Sequence, residues 1–138
     1  MIPVKQTILS SIDGSIKGNC LRACLASLLD IPNIDEVPAF EVMPSETWFK
    51  EFYSWLLSVG HQFYGTGHPD GKREFEFTGI DGYYIATGKS PREYVKAGHA
   101  VIYQRGNLVH DPHPSNAGIL TFENFYLIEK ADGSKAHD

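Results

Sequence analysis

Cysteine is scarce in this chain, which has only Cys20 and Cys24 among its 138 residues. The two lie four positions apart, about one helical turn, where side chains diverge too far for easy disulfide formation. A disulfide framework of the kind that stabilises small secreted proteins is therefore not expected. Reduced thiols fit the cytosol, so the predicted localisation is cytoplasmic.

Long apolar runs and an excess of basic residues are also missing. No stretch approaches the roughly 20 apolar residues of a membrane-spanning helix, and residues 1–6 lack the charged-then-apolar pattern of a secretory signal. The net charge is -5, with both signs mixed along the chain and no basic stripe. We therefore expect no membrane and no nucleic acid among the partners. Hydrophobic residues make up 42% of the chain, which suits one globular domain with a core of its own.

Two segments have the periodicity of amphipathic helices. The first begins at Cys20 and is expected to run to about residue 30, because leucine and alanine are strong helix formers. The second is expected over 46–59, with Ser45 as its N-cap and Gly60 as the residue that ends it. Six of its side chains share an apolar face and are expected to pack in the core: Trp48, Phe49, Phe52, Tyr53, Leu56 and Leu57.

The rest of the chain predicts short strands separated by turns. Residues 4–9 alternate as a strand or extended lead-in, residues 10–17 form a polar loop, and 104–107 is the turn of a hairpin. Strands are expected at 61–64, 75–77, 83–86, 100–103, 108–109 and 125–128. With helices first and antiparallel strands after them, the fold class is α+β. The prediction is a single domain over 1–130, followed by a disordered tail at 131–138.

The segment GNCLRACLASLL, residues 18–29, carries the first functional candidate. Gly18 is expected to take the positive φ of a tight turn, and Asn19 to cap the helix. Cys20 then lies in the first helical turn, where unpaired N–H groups and the positive end of the helix dipole favour a thiolate nucleophile. Cys24 is expected to be an inert core cysteine. Taken alone, Cys20 is also compatible with a packing role.

His99 and Asp111 strengthen the interpretation of Cys20 as a nucleophile. His99 stands at the start of a predicted strand, and Asp111 follows it by twelve residues, just past a hairpin. A hairpin this short returns the chain beside its own start, so Asp111 is expected next to His99. Asp111 would then orient the imidazole, His99 would act as acid and base, and Cys20 would attack a carbonyl. Taken singly, His99 also fits a hydrogen-bonded strand histidine and Asp111 a turn former.

A metal site is the competing interpretation of the same region. His99, His110, Asp111 and His113 are residue types that zinc accepts, and three of them fall within four positions. Against this, His110 and Asp111 are adjacent in an extended segment and point to opposite sides. We therefore predict no metal and no other cofactor, and expect His110 and His113 at the solvent-facing rim of a substrate groove. Further candidates to line that groove are Tyr83, Tyr84, Arg92 and the loop 65–72.

The order of these motifs resembles that of papain-like cysteine peptidases. The small bacteriocin leader (double-glycine) peptidases of bacteria have an upstream Gln, a Cys that opens a helix with a second Cys four residues on, and a His followed by Asp-Pro. The matching residues here are Gln6, Cys20 with Cys24, His99 and Asp111-Pro112. The chain is also similar to small uncharacterised phage or prophage proteins that carry Gly-Asn-Cys-Leu-Arg-Ala-Cys and His-Asp-Pro-His-Pro-Ser.

The resemblance implies a papain-like fold, with N-terminal helices packed on an antiparallel β-sheet, and Gln6 as an oxyanion donor. In the leader peptidases this Gln stands close before the Cys, whereas Gln6 is fourteen residues before Cys20. The loop 10–17 has to bulge out if Gln6 is to lie in place, and Asn19 is otherwise the nearest donor. The implied activity is hydrolysis of a peptide, isopeptide or related amide bond in a peptide or protein substrate, in a bacterial cell or from a phage gene.

Two other functions fit the same residues. The triad can also pass an acyl group to an amine or deamidate a glutamine. A non-catalytic papain-like module that binds a host protein has the same outline. Thiol reactivity distinguishes such a module from an enzyme. In a binding module, Cys20 is expected to react with an alkylating reagent no faster than a free thiol of pKa about 8.5.

Overall fold

The computed structural model describes residues 1–64, 82–92, 95 and 98–130. The predicted loop 65–72, the predicted strand 75–77 and the tail 131–138 lie outside the described residues. Within the described residues, two α-helices precede all five strands of an antiparallel sheet, so the α+β class is confirmed.

The sheet has the order β1-β5-β2-β3-β4, and every neighbouring pair is antiparallel. Its strands are β1 (His61–Tyr64), β2 (Tyr84–Lys89), β3 (Gly98–Gln104), β4 (Asn107–His110) and β5 (Asn124–Lys130). The helices are α1 (Cys20–Leu28) and α2 (Trp48–Ser58), with two 3₁₀ turns between them at Ile34–Glu36 and Phe40–Val42. The strand at 61–64 and the hairpin turn at 104–107 lie where the sequence predicts them. Within the described ranges, neither α-helix has the length and apolarity that a bilayer crossing requires.

The start of α1 differs from the prediction in how Gly18 and Asn19 are used. Asn19 makes no capping bond; its Oδ1 accepts from the backbone N–H groups of Thr7 and Ile8, both at 3.0 Å. Gly18 does not have a positive φ. A side chain there would place its Cβ 3.0 Å from the Ile8 carbonyl oxygen and the Ser10 nitrogen, so glycine permits a close approach of backbone. Both residues join the N-terminal segment to the helix start.

The second helix is shorter than predicted. It begins at Trp48, with Thr47 rather than Ser45 in the N-cap position, and it ends before Gly60 as expected. Gly60 has a φ of +82°, the left-handed conformation that terminates many helices. Residues 45–47 form a hydrogen-bonded turn instead, in which Thr47 N donates to Pro44 O at 3.1 Å, so the α-helix starts two residues later than predicted.

The aromatic face of α2 is only partly buried, which corrects the prediction of six core residues. Phe52 and Leu56 are fully buried, whereas Phe49, Tyr53 and Leu57 are 42%, 42% and 47% exposed. The helix packs beside β1 at the edge of the sheet, so a single i, i+4 stripe faces the core. A wide apolar face in sequence therefore does not specify how much of it is covered.

The sheet has apolar side chains packed on both of its faces. Helix α1 lies on β3, and the core between them contains Ala23, Cys24, Leu25, Leu28, Ile85, Ala100, Ile102 and Ile128. The opposite face carries Tyr84, Ala86, Val101 and Tyr103, with Ile119 and Phe122 packed against them. Tyr84 is therefore a core residue, and its predicted place in a substrate groove is wrong. The alternation along β2 and β3 assigns neighbouring residues to opposite faces.

At Gly88, which lies beside His99, two backbone segments approach each other closely. It pairs with His99 across β2 and β3, and a Cβ on Gly88 would lie 1.6 Å from the Thr121 carbonyl oxygen. The 120–123 segment is held there because Leu120 N donates to Lys89 O and Glu123 N to Thr87 O, both at 2.8 Å. Because backbone and not a flexible side chain has to yield, substitution at Gly88 displaces this segment.

We expect Gly88→Ala to lower the free energy of unfolding by about 2–4 kcal/mol. Gly98→Ala is the matched control on β3, because its Cβ meets only the Gly88 carbonyl oxygen at 3.4 Å. Its expected cost is below about 1 kcal/mol. Urea unfolding of both variants measures the difference, and equal stabilities would contradict the packing described here.

Candidate active site

Three separate elements bring the predicted triad residues together. Cys20 is the first residue of α1, His99 is the second residue of β3, and Asp111 directly follows β4. His99 Nε2 donates to Asp111 Oδ1 at 2.7 Å, and both side chains are almost fully buried. The β3–β4 hairpin thus returns Asp111 beside His99, as the sequence predicts.

The Asp111 carboxylate is fixed by three N–H donors. Besides the bond from His99, Oδ1 accepts from His113 N at 2.9 Å and Oδ2 accepts from Gly118 N at 2.7 Å. Burial raises the pKa of Asp111, but the bond from His99 and then the two backbone N–H groups outweigh it, and the pKa is lowered. Asp111 is therefore a charged and immobile acceptor. Gly118 was not among the predicted site residues, because its φ of +75° has no signal in the local sequence.

The His99 ring interacts with both of the other triad residues. Burial by itself lowers the pKa of His99, but the hydrogen bonds with Asp111 and Cys20, and the favourable charge interactions with both, raise it to about 9. Because Asp111 takes Nε2, Nδ1 is the ring nitrogen left for Cys20. His99 is thus placed to hold a proton beside the sulfur at neutral pH.

The raised pKa of His99 predicts a pH-dependent stability. The stabilisation is fully present below about pH 6.5, the ordinary pKa, and is lost as the pH rises through about 9. We expect the gap in unfolding free energy between wild type and His99→Gln to narrow by up to about 3 kcal/mol across that window. Chemical denaturation at a series of pH values measures the gap, and parallel curves would contradict the assignment.

Cys24 lies one turn after Cys20 and has no access to solvent. It is 0% exposed within the core between α1 and the sheet, whereas Cys20 is partly exposed. Burial, and then the charges of Cys20 and Asp111, raise the pKa of Cys24 well above its ordinary value. The prediction of an inert core thiol at Cys24 therefore agrees with its environment.

Gln6 reaches the site because the loop 10–17 folds back on itself. Gly18 N donates to Ser10 Oγ at 2.9 Å and Asn19 N to Ile8 O at 3.1 Å, which closes the loop at its base. The extra residues before Cys20 thus bulge out, and Gln6 lines a pocket together with Cys20 and His99. Its Nε2 donates one hydrogen to Ile8 O at 2.8 Å, and an NH₂ group has a second hydrogen to give. The role of oxyanion donor at Gln6 remains a prediction.

Asn19, the alternative oxyanion donor, has its side chain committed elsewhere. Its Oδ1 accepts the two backbone bonds described above, and its Nδ2 donates to Thr7 Oγ1 at 2.9 Å. The side chain is also buried, with the residue 1% exposed. Of the two candidates, Gln6 is therefore the one that the structure places at the pocket.

The N-terminal segment is joined to the turn that carries Asp111. Lys5 Nζ donates to the backbone oxygen of Asp111 at 2.8 Å and to Asn116 Oδ1 at 2.7 Å, and Gln6 N donates to Pro112 O at 3.0 Å. His110 Nε2 donates to Val4 O at 2.8 Å. Lys5 was not among the predicted site residues, because nothing in the local sequence connects it with residues more than a hundred positions away.

The histidines on either side of Asp111 have different surroundings. His110 is buried at 7% exposure, so its predicted place on a solvent-facing rim is wrong. His113 is partly exposed and lines the pocket beside Cys20. Its ring packs edge-on against the His99 ring, with 6.0 Å between the ring centroids. Within the part of the chain that the structure describes, no three His, Cys, Asp or Glu side chains are grouped to hold a metal ion.

Among the described residues, three depressions have Cys20 in their lining. The smallest, about 80 Å³, is the pocket lined by Gln6, Arg92 and His113. The other two, of about 240 and 280 Å³, adjoin each other at Leu21 and Trp48, and together they are called the apolar groove. Cys20 thus stands between an apolar groove and a small polar pocket, an arrangement that suits attack on a bond within an extended substrate. The predicted lining role of Arg92 agrees with its position.

Comparison with protein-family models, curated proteins and solved structures found no match to this chain. Support for a function comes from the site residues and their geometry.

Proposed function

We propose that this protein is a thiol hydrolase of papain-like architecture that cleaves a peptide or related amide bond through an acyl-enzyme. The observation that carries the proposal is the buried hydrogen bond between His99 and Asp111, with Cys20 at the start of α1 lining the same pocket as His99. Each of these three residues fits the chemistry of acyl transfer. A cysteine at a helix start, a histidine that retains a proton and a fixed carboxylate are the parts that nucleophilic acyl transfer requires.

The reaction begins with the Cys20 sulfur as thiolate and the His99 ring as imidazolium. The sulfur attacks the carbonyl carbon, and the negative charge that develops on oxygen is met by the first N–H groups of α1 and by Gln6 Nε2. The carbon–nitrogen bond then breaks, and His99 gives its proton to the leaving nitrogen. In the second half, His99 takes a proton from water, which attacks the thioester and releases the acid and the Cys20 thiolate.

Asp111 acts by holding the imidazole in one tautomer and one orientation. Its Oδ1 occupies Nε2, which keeps Nδ1 directed to the sulfur and stabilises the charged ring. The papain-like part of the proposal is supported by the placement of these residues: the cysteine opens a helix that packs on the strand bearing the histidine, and the carboxylate follows the next strand.

Detection of the covalent intermediate tests the proposal without knowledge of the natural substrate. We would incubate the protein with a panel of activated acyl esters, quench in acid and locate the added mass by peptide mapping. An acyl group on Cys20 in wild type, retained in Cys24→Ala and lost in His99→Ala, is the expected result. Absence of the adduct across the panel, or an equal yield in His99→Ala, would favour a non-catalytic binding module.

A further inference from the structure

The small pocket beside Cys20 differs from the apolar groove in the sign of its charged side chains and in its size. Its described lining includes the guanidinium of Arg92 and the imidazoles of His99 and His113, but no Asp or Glu. Burial, followed by the positive charges of Arg92 and His99, lowers the pKa of His113, which fits a pocket of positive potential. The volume of about 80 Å³ equals that of two or three water molecules, enough for a carboxymethyl group.

Hydrogen-bonding capacity in this pocket is incompletely used by the described residues. Arg92 gives one amino group to Ser115 Oγ at 3.1 Å, and no described residue takes its remaining side-chain donors. The carbonyl oxygen of the Gln6 side chain is buried and has no partner among the described residues. A buried acceptor and an unused guanidinium together point to a ligand that both donates an N–H and carries an anion.

We infer that this pocket binds the leaving-group side of the substrate and selects a carboxylate within one residue of the scissile bond. Each of the two depressions that make up the apolar groove is larger than this pocket, so the groove suits the acyl chain. The carboxylate of the leaving amino acid would pair with Arg92, which lines the pocket. The carboxylate belongs either to a free C-terminus or to an Asp or Glu side chain. This inference rests on the proposed function.

Two alkylating reagents that differ only in charge test the pocket directly. Iodoacetate carries a carboxylate where iodoacetamide carries a neutral amide, and both transfer a group of the right size to the Cys20 sulfur. We would measure the ratio of their rate constants at Cys20 by mass spectrometry in wild type and Arg92→Gln. Lys17→Gln is the matched control, because it removes one cation on the opposite side of Cys20.

The expected result is a fall of about fivefold in the iodoacetate-to-iodoacetamide ratio in Arg92→Gln, with no comparable change in Lys17→Gln. An unchanged ratio in Arg92→Gln, or an equal fall in both variants, would overturn the inference. The absolute iodoacetamide rate and its dependence on His99 report on the nucleophile separately. A slow, His99-independent rate would therefore reject the proposed function, whatever the ratio does.

Matched peptide substrates then distinguish the two sources of the carboxylate. With one acyl group, the leaving residue would be glycine amide, glycine with a free carboxylate, or aspartate amide. We expect kcat/KM in wild type to be about tenfold higher for at least one of the two acidic leaving groups than for glycine amide, and Arg92→Gln to remove that preference. A preference for the neutral leaving group in wild type, or one retained in Arg92→Gln, would overturn the inference.

Discussion

Replacement of Cys20 by alanine is expected to abolish amide hydrolysis, with a fall in turnover of at least about a thousandfold. Among the described residues that line the groove and the polar pocket, Cys20 supplies the only thiol. Without it no acyl-enzyme forms, and the N–H groups around the carbonyl oxygen have no attacking atom to assist.

Cys24→Ala is the matched control for this variant. It makes the same chemical change four residues later, at a thiol that is fully buried in the core. We expect Cys24→Ala to lose about 1–2 kcal/mol of stability through the cavity it leaves, while turnover stays within a few-fold of wild type. The measurement is kcat/KM on any substrate found in the screen. Comparable losses in the two variants, or substantial activity in Cys20→Ala, would contradict the assignment of the nucleophile.

Replacement of Asp111 by asparagine is expected to reduce both turnover and stability. Three N–H groups donate to the carboxylate, from His99, His113 and Gly118. An amide has one acceptor oxygen, so its NH₂ group would face at least one of these donors. If the amide turns its NH₂ group to His99, the ring can no longer donate there, and the tautomer needed at Nδ1 is lost.

The expected fall in turnover for Asp111→Asn is about 10²- to 10⁴-fold, and the expected loss of stability is about 1–3 kcal/mol. Asp35→Asn is the matched control, since Asp35 pairs with Arg22 at 3.6 Å on the surface, where its side chain is 79% exposed. We expect Asp35→Asn to lower the free energy of unfolding by less than about 0.5 kcal/mol and to have no effect on turnover. Wild-type turnover in folded Asp111→Asn would remove Asp111 from the mechanism.

The central features of the site were predictable because each has a local signal. A tight segment followed by helical periodicity places Cys20 at a helix start, and a short hairpin brings Asp111 back to His99. Both inferences need only neighbours within about a dozen residues. The antiparallel α+β class follows from the order of the elements in the same way.

What the sequence did not predict depends on contacts between distant segments. Asn19 looks like a helix cap, yet its side chain serves residues 7–8 instead. His110 was predicted at the rim and Tyr84 in the lining of the groove, yet each is buried, the first against Val4 and the second in the core on the far face of the sheet. Residue types do not distinguish these outcomes, because a polar side chain with a buried partner has the same local pattern as an exposed one.

The place of Gln6 in the site was only partly predictable from the sequence. Its chemistry was recognisable, but its distance from Cys20 in sequence argued against a place at the site. The Ser10–Gly18 contact that closes the loop removes that difficulty, and it is visible only in three dimensions.

The most direct test of the Cys20–His99 pair is the pH dependence of iodoacetamide alkylation at Cys20, followed by mass spectrometry in wild type and His99→Ala. The pair predicts a fast rate that persists at about pH 6, well below the pKa of a free thiol, and that is lost in His99→Ala. A slow rate that rises only near pH 8.5, with the same profile in both proteins, would contradict a catalytic Cys20.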